Sequence, residues 1–125
     1  MKLAVLPGRF AVARLEPAAP IPAWATQGAL WSVTRTAEEL SVVCAAADVP
    51  DGVTAERGWR ALRVVGRLDF ALTGVLASLA VPLAAAGVSI FAVSTYDTDY
   101  LLVPESRLTE AVSSLCAAGH EVHEN

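Results

Sequence analysis

The sequence has few of the residues on which catalysis and metal binding depend. Of its 125 residues, two are histidine and two are cysteine, and Cys44 and Cys116 lie too far apart in the sequence to form the closely spaced His/Cys cluster of a zinc site. His120 and His123 lie in a predicted terminal strand, where a spacing of three points them to opposite faces. We interpret them as part of a frayed polar terminus. With no glycine-rich phosphate loop and no nucleophile elbow either, we expect neither an enzyme nor a bound metal or cofactor.

Charge is also scarce, at 18% of residues, and the formal net charge is −4. A nucleic-acid-binding protein needs a basic face to replace phosphate counterions, so this class is disfavoured. The acidic excess lies in residues 61–125, which contain three basic and seven acidic residues. An acidic half of this kind suits a cationic or zwitterionic ligand, although it is also typical of an ordinary solvated surface.

Two cysteines do not form a disulfide framework. Cys44 and Cys116 each lie in an apolar run, so we predict small buried side chains in a reducing, cytoplasmic compartment. Residues 70–96 contain no charged residue and are long enough to cross a bilayer. Their periodicity changes from helical to strand-like, however, and a helix that ends at Gly87 before a buried strand explains the pattern better. We therefore expect no membrane association.

The second half of the chain predicts a β-α-β-β-α-β order. The predicted strands are 61–66, 88–93, 100–103 and 120–123, and the predicted helices are 72–86 and 107–118. Pro82 interrupts the first helix, whereas Ser106 and Gly119 can cap the second. This order is typical of an α+β, ferredoxin-like fold with helices on one face of an antiparallel sheet.

The first half resembles a reduced copy of the second. With a shift of sixty residues, LWSVTRTAEELSVV aligns with IFAVSTYDTDYLLV, which places Glu39 on Asp99. Three prolines leave room for no more than a short turn around residues 23–27 in place of the first helix. We predict two fused units, 1–60 and 61–125, whose sheets would cover each other's strand edges.

Two polar loops could meet at one end of such a sheet. The first, residues 69–74, precedes a helix whose free amides can hold a carboxylate. The second, residues 94–99, has hydroxyl and carboxylate oxygens that accept hydrogen bonds from an ammonium group. Together they would bind both ends of an amino acid. The alternative is two ordinary turns whose aspartates bond their own backbone, and an acid/base site is a weaker third possibility.

Residues 66–106, GRLDFALTGVLASLAVPLAAAGVSIFAVSTYDTDYLLVPES, resemble the ACT domain of the CASTOR arginine sensors of animals and of small bacterial ACT proteins. WSVTRTAEELSVVC and GVTAERGWRALRV extend the resemblance into the first half. ACT domains are regulatory modules that usually bind amino acids, often at domain or subunit interfaces. The resemblance therefore implies two fused ACT-like units in a non-catalytic sensor of a small molecule. The alternative is a module with this fold that dimerises without a ligand.

The resemblance also implies which residues contact the ligand. By position these are Asp69, Leu72, Thr73, Gly74, Leu76, Thr95, Tyr96, Thr98 and Asp99. The sensors have a glutamate where this chain has Leu72, so one carboxylate partner for a cationic ligand is missing. They also contain four ACT units against two here, which implies a homodimer that recreates the set of four.

Overall fold

The computed structural model describes residues 1–69 and 71–124, in two compact units. Unit 1 combines Met1–Pro7 with the chain from Arg60 onward, and unit 2 is Gly8–Trp59. Within the described ranges the elements are β1 Lys2–Val5, β2 Phe10–Leu15, β3 Ser32–Arg35, β4 Leu40–Ala45, β5 Thr54–Val64, α1 Val75–Ala85, β6 Phe91–Ser94, β7 Asp99–Pro104, α2 Leu108–Ala117 and β8 Glu121–Glu124. The division after Trp59 lies next to the predicted boundary, but Met1–Pro7 pack with the second half rather than with the first.

Unit 1 has the predicted βαββαβ order in β5, α1, β6, β7, α2 and β8. The α+β, ferredoxin-like fold class is thereby confirmed. The sheet is mixed rather than antiparallel, because β1 pairs antiparallel with β5 and parallel with β8. The additional strand β1 lies between β5 and β8, and it places Lys2 opposite Glu121 and Leu3 opposite Val64.

Buried aliphatic side chains from both helices and from the strands form the core of unit 1. α1 ends at Ala85 with Ala86 as its C-cap, close to the predicted end at Gly87, and Gly87 follows with a left-handed φ of 72°. Gly87 N–H donates to Ala84 O at 3.0 Å, and Val88 N–H donates to Leu83 O at 2.9 Å. This Schellman motif satisfies the last carbonyls of the helix and brings Val88 against Leu83 in the core. The core residues are Leu3, Val5, Leu62, Val64, Leu79, Leu83, Val88, Leu101, Val103, Ala111 and Leu115.

α1 runs through Pro82, although the sequence predicted an interruption there. Proline has no N–H, so the carbonyl of Ser78, four residues earlier, loses its helical donor. The His120 ring supplies a replacement, because its Nε2 lies 3.0 Å from Ser78 O and donates to it. His120 is therefore fixed against α1, and the expectation that it belongs to a frayed terminus is wrong.

Arg107 joins the start of α2 to the end of α1. It is the N-cap residue of α2, in place of the predicted Ser106, and its side chain does not cap the helix. Its guanidinium donates instead to the carbonyls of Ala86 at 2.9 Å and Gly87 at 3.2 Å. The same group bonds the Glu110 carboxylate at 2.6 Å, which lowers the pKa of Glu110.

The two cysteines lie in different surroundings. Cys44 in unit 2 is buried as predicted, and burial, more than the nearby Asp48, raises the pKa of its thiol. Cys116 is exposed, so the prediction of a buried side chain is wrong there. It follows the buried Leu115 on α2, and one step along a helix turns a side chain by about 100°. Gly119 ends this helix as predicted, with a φ of 97°.

Unit 2 has no α-helix in Gly8–Trp59, all of which the structure describes. β3, β4, β2 and the first half of β5 pair in that order, and the helical segments are the 3₁₀ turns Ala23–Thr26 and Ala46–Asp48. The first of these stands where unit 1 has α1, in agreement with the short turn predicted from the prolines. The core is correspondingly made of small side chains, namely Ala11, Ala13, Ala25, Val42, Cys44 and Val49.

The hairpins β3–β4 and β6–β7 repeat at a spacing of 59 residues rather than sixty. Their last paired residues are Arg35 with Leu40 and Ser94 with Asp99. The sequence alignment is therefore wrong by one residue. That single step matters, because it moves Glu39 from Asp99 to Thr98 and leaves Asp99 without an acidic counterpart in unit 2.

Candidate functional site in unit 1

The tip of the β6–β7 hairpin is a tight turn held by threonine side chains. Thr95 N–H donates to Thr98 O at 2.8 Å, and Thr95 Oγ1 donates to the same oxygen at 3.1 Å. Thr98 N–H donates in return to Thr95 Oγ1 at 3.2 Å. Thr98 Oγ1 donates to Val64 O, at the end of β5, at 2.8 Å. The turn is thus rigid and is fixed to the neighbouring strand.

Asp99 lies at the base of this turn and is half-buried. Ser94 Oγ donates to Asp99 Oδ1 at 2.6 Å, across the last pair of the hairpin. A carboxylate has two oxygens and about four acceptor positions. Asp99 can therefore accept further hydrogen bonds from a charged donor on a ligand, and such bonds are stronger than those between neutral groups.

The connection from β5 to α1 is held against the hairpin tip at Asp97. Leu68 N–H donates to Asp97 O at 2.7 Å, and Arg67 Nε lies 3.1 Å from Asp97 Oδ1. The Arg67 and Asp97 side chains are 75% and 62% exposed, so this ion pair adds little to stability. Its main effect is to neutralise one of the carboxylates near the tip.

Asp69 and Gly74 shape the rest of this connection. Asp69 Oδ1 accepts Ala71 N–H at 2.8 Å, and Asp69 O accepts Leu72 N–H at 3.0 Å. This is the self-bonding turn that the sequence left open as an alternative. Gly74 is the N-cap of α1 and has a left-handed φ of 76°, which glycine adopts without strain. Because it has no side chain to cap the helix, the first amides of α1 are left to water or to a ligand.

These segments surround a pocket of about 210 Å³. Its lining comes from both predicted loops: Leu68, Asp69, Leu72, Val75, Ser94, Thr95, Tyr96, Asp97, Thr98 and Asp99. Six of the nine predicted contact residues are among them. A second cavity of about 450 Å³ adjoins the first, since Leu68, Asp69 and Tyr96 line both and Arg67 lines the second. Tyr96 is 73% exposed, so the aromatic ring marks the open side of the pocket.

Three predicted contact residues lie outside this lining. Thr73 and Gly74 precede α1, and Gly74 acts through the direction it gives the helix. Leu76 follows Val75 on α1 and is 36% exposed. On a helix, adjacent residues point about 100° apart, so Val75 can line the pocket while Leu76 does not.

Four lining residues are absent from the predicted set. Ser94 and Asp97 lie inside the polar run STYDTD, whose composition already marked this loop. Leu68 and Val75 are aliphatic and carry no chemical signal. They line the pocket because the connection from β5 folds back on the hairpin tip and because α1 begins at Val75.

The pocket combines negative charge with an apolar wall. Asp69, Asp97 and Asp99 contribute three carboxylates, and Arg67 balances one of them. Leu68, Leu72 and Val75 supply the apolar part of the lining. An ammonium group is the kind of ligand group that such carboxylates bind, and an aliphatic stem is the kind of chain that the wall can cover.

In residues 1–69 and 71–124, no cluster of three or more His, Cys, Asp and Glu side chains is placed to hold a metal ion. Neither cysteine lines the pocket. Over the same described ranges, no helix is both long and apolar enough to cross a membrane.

A family model for the ACT domain matches residues 54–117, about half of the chain. The chain belongs to the ACT-domain family. The ACT match extends from β5 to the end of α2, so both loops that line the pocket lie within it. A second family model, for an N-terminal domain, matches residues 8–52, which is nearly the whole of unit 2.

Curated relatives match part of the chain. The cytosolic arginine sensor for mTORC1 subunit 1 is 40% identical over 58 residues in both Homo sapiens and Bos taurus. The aligned segment is 46% of this chain and 18% of the sensor. The match to this ACT protein thus spans less than a fifth of the length of the curated relatives.

Solved structures match over almost the whole chain. The crystal structure of protein Atu0741 from Agobacterium tumefaciens is 40% identical, with a TM-score of 0.94, and the match covers 99% of this chain and 92% of that one. The ligand-free regulatory subunit of aspartate kinase from Thermus thermophilus has a TM-score of 0.67 at 12% identity, covering 94% and 97%. At that identity the likeness shows the fold alone.

Proposed function

We propose that the pocket of unit 1 binds an amino acid and that the chain acts as a non-catalytic sensor in the cytoplasm. The observation that carries this proposal is the meeting of two kinds of group at one pocket. Carboxylates at the hairpin tip face the start of a helix whose amides have no side-chain cap. A free amino acid has the complementary pair of charges, an ammonium and a carboxylate.

The binding mode follows from this arrangement. The ligand ammonium donates to Asp99, and the ligand carboxylate accepts from the first amides of α1, near Val75. The aliphatic part of the ligand lies along Leu68 and Leu72. One comparison supports the ligand class, since curated relatives that are 40% identical over 58 residues are named arginine sensors. Leu72, where the sensors have a glutamate, favours a ligand less basic than arginine.

Thermal unfolding in the presence of each of the twenty amino acids tests the proposal. A ligand that binds the native state alone stabilises it by about 2.7 kcal/mol at a concentration one hundred times its dissociation constant. We expect one or a few amino acids to raise the unfolding temperature. If none does at millimolar concentration, the protein is instead an ACT-fold module without an amino-acid ligand.

Asp99→Asn then tests the position of the site. The amide keeps the size of the side chain and its hydrogen bond from Ser94. The free energy of unfolding of the variant should therefore stay within about 0.5–1 kcal/mol of the parent value. Calorimetric titration should show affinity about ten- to a hundredfold weaker, because the charge-assisted bond is lost. Glu38→Gln is the matched control, since Glu38 lies in the equivalent turn of unit 2 and should leave binding unchanged. Undiminished binding by Asp99→Asn would remove Asp99 from the site.

The proposal includes a homodimer. Aliphatic side chains on and before α1 are unusually exposed, with Leu72 at 54%, Leu76 at 36% and Val81 at 66%. Several large aliphatic side chains exposed in one segment favour an interface. Sedimentation at micromolar concentration should give about twice the chain mass of 13.0 kDa, and a monomer would contradict this part of the proposal.

A further inference from the structure

Unit 2 contains the same hairpin turn as the candidate site. Thr36 N–H donates to Glu39 O at 2.9 Å, Thr36 Oγ1 lies 3.4 Å from the same oxygen, and Glu39 N–H donates to Thr36 Oγ1 at 3.1 Å. These are the three bonds that Thr95 and Thr98 make in unit 1. The turn is therefore a repeated scaffold, and any difference in binding must come from the residues beside it.

Arg35 is the residue beside the turn in unit 2, at the position of Ser94 in unit 1. Its guanidinium donates from Nη2 to Ala19 O at 2.8 Å and from Nη1 to Pro17 O. Both carbonyls belong to the connection that follows β2. In chain order this is the counterpart of the connection after β5, which lines the unit 1 pocket. The exposed side chain of Arg35 thus connects β3 to the connection after β2, at the place that corresponds to the open pocket of unit 1.

The connection after β2 is suited to a guanidinium group. Pro17, Pro20 and Pro22 have no N–H, so this segment presents carbonyl acceptors with few donors of its own. A guanidinium group has five donors in a planar fork and can bond two carbonyls at once. Leu40, which is fully buried, stands in the position of Asp99, so the carboxylate of the unit 1 site has no equivalent here.

We infer that Arg35 is a built-in occupant of the unit 2 counterpart of the candidate pocket. Removal of its side chain leaves a site for a free guanidinium group, bounded by the carbonyls of Pro17 and Ala19. In the unsubstituted protein, Arg35 therefore blocks ligand binding at the unit 2 position, whereas the unit 1 pocket stays open to a ligand. This inference depends on contacts within unit 2 alone, so it stands or falls separately from amino-acid binding in unit 1.

Chemical complementation of Arg35→Ala tests the inference, with methylguanidinium as the probe. All three tryptophans, Trp24, Trp31 and Trp59, belong to unit 2, so their fluorescence follows its unfolding. Because both bonds are exposed and water replaces part of them, their loss should raise the unfolding equilibrium constant by about two- to fivefold. Methylguanidinium at tens of millimolar should reverse part of this loss, whereas methylammonium, which has no planar fork, should not.

Arg14→Ala is the matched control. Arg14 is in the same unit and makes one bond, from Nη2 to Glu38 O at 3.3 Å, so the substitution removes the same group without creating the site. Recovery by methylguanidinium in Arg35→Ala, and not in Arg14→Ala or the unsubstituted protein, supports the inference. Equal responses in the two variants, or no loss of stability in Arg35→Ala, overturn it. If Arg35→Ala does not fold, its refolding yield with each salt gives the same comparison. The refolding yield of Arg35→Lys should increase less with methylguanidinium than that of Arg35→Ala.

Discussion

The β3–β4 and β6–β7 hairpins have the same turn and the same threonine bonds, but different surroundings. In unit 1 the turn lies beside an open pocket with Asp99 at its base. In unit 2 a buried leucine replaces this acid, and Arg35 spans the gap to the preceding connection. The turn itself is therefore structural. We therefore expect ligand access to depend on two flanking positions, the one before the turn and the one after it.

The comparison also separates the two roles that the sequence left open for the aspartates. Alignment with a shift of sixty placed Glu39 on Asp99, as though an acid were needed at this point of the turn. The structural spacing places Glu39 on Thr98 instead, and the unit 2 turn forms with Leu40 in the equivalent position of Asp99. An acid is thus not required for the turn, which supports a ligand-facing role for Asp99.

The largest expected effects come from substituting one glycine in each unit, because only one of the two lies at the candidate site. Gly74 and Gly28 have φ values of 76° and 87°, and an added Cβ would meet no atom within 4 Å at either position. Valine at either site should therefore cost about 1–3 kcal/mol from backbone strain alone. We expect Gly74→Val to abolish the ligand response as well, because it displaces the start of α1, whereas Gly28→Val should not. Chemical denaturation measures the stability of both variants, and calorimetric titration measures their ligand affinity. If Gly74→Val binds the ligand as tightly as the parent does, the start of α1 is not part of the site.

Unit 1 contains an α-helix that unit 2 lacks, and His120 is hydrogen-bonded to that helix at Ser78. His120→Ala should cost about 1–1.5 kcal/mol, because it leaves Ser78 O without its donor. In a Pro82→Ala background the cost should shrink, since the alanine N–H restores the helical bond. A double-mutant cycle measures the coupling, and His123→Ala is the control from the same terminal strand. Equal costs in both backgrounds would show that the bond between His120 and Ser78 contributes nothing.

Much of the fold of unit 1 could be predicted because its elements are periodic and have clear ends. α1, α2 and the hairpin strands lie within a few residues of their predicted bounds. β1 was missed because a four-residue strand at Lys2–Val5 is defined by its partners β5 and β8, which are distant in sequence. Pro82 was misjudged for a related reason: the donor that compensates for it, His120, comes from the other end of the unit.

The candidate site was predictable as two loops, but not as a complete lining. Polar composition marked residues 94–99, and fold order brought residues 69–74 to the same end of the sheet. Leu68 and Val75 could not be predicted, because the path of the backbone decides which aliphatic residues line a pocket and their side chains give no chemical signal. The register of the repeat was ambiguous for a similar reason, since hydrophobic matches occur at both shifts and the bonds of Thr36 and Thr95 decide between them.

Substitution of these two threonines should have the smallest effect and makes the closest comparison. Thr36→Val and Thr95→Val keep the side-chain shape and remove one hydroxyl that both donates and accepts within its turn. Each should lower the free energy of unfolding by about 0.5–1 kcal/mol, because both turns are exposed and water can replace part of the lost bonding. Thr95→Val should also weaken ligand binding, since Thr95 lines the pocket, while Thr36→Val should bind as the parent does. Urea denaturation gives the free energy of unfolding, and calorimetric titration gives the ligand affinity.

Equal binding by the two variants would mean that the turns are interchangeable and that the site lies elsewhere. Unequal stability losses would mean that the shared bonding pattern does not make the turns energetically alike.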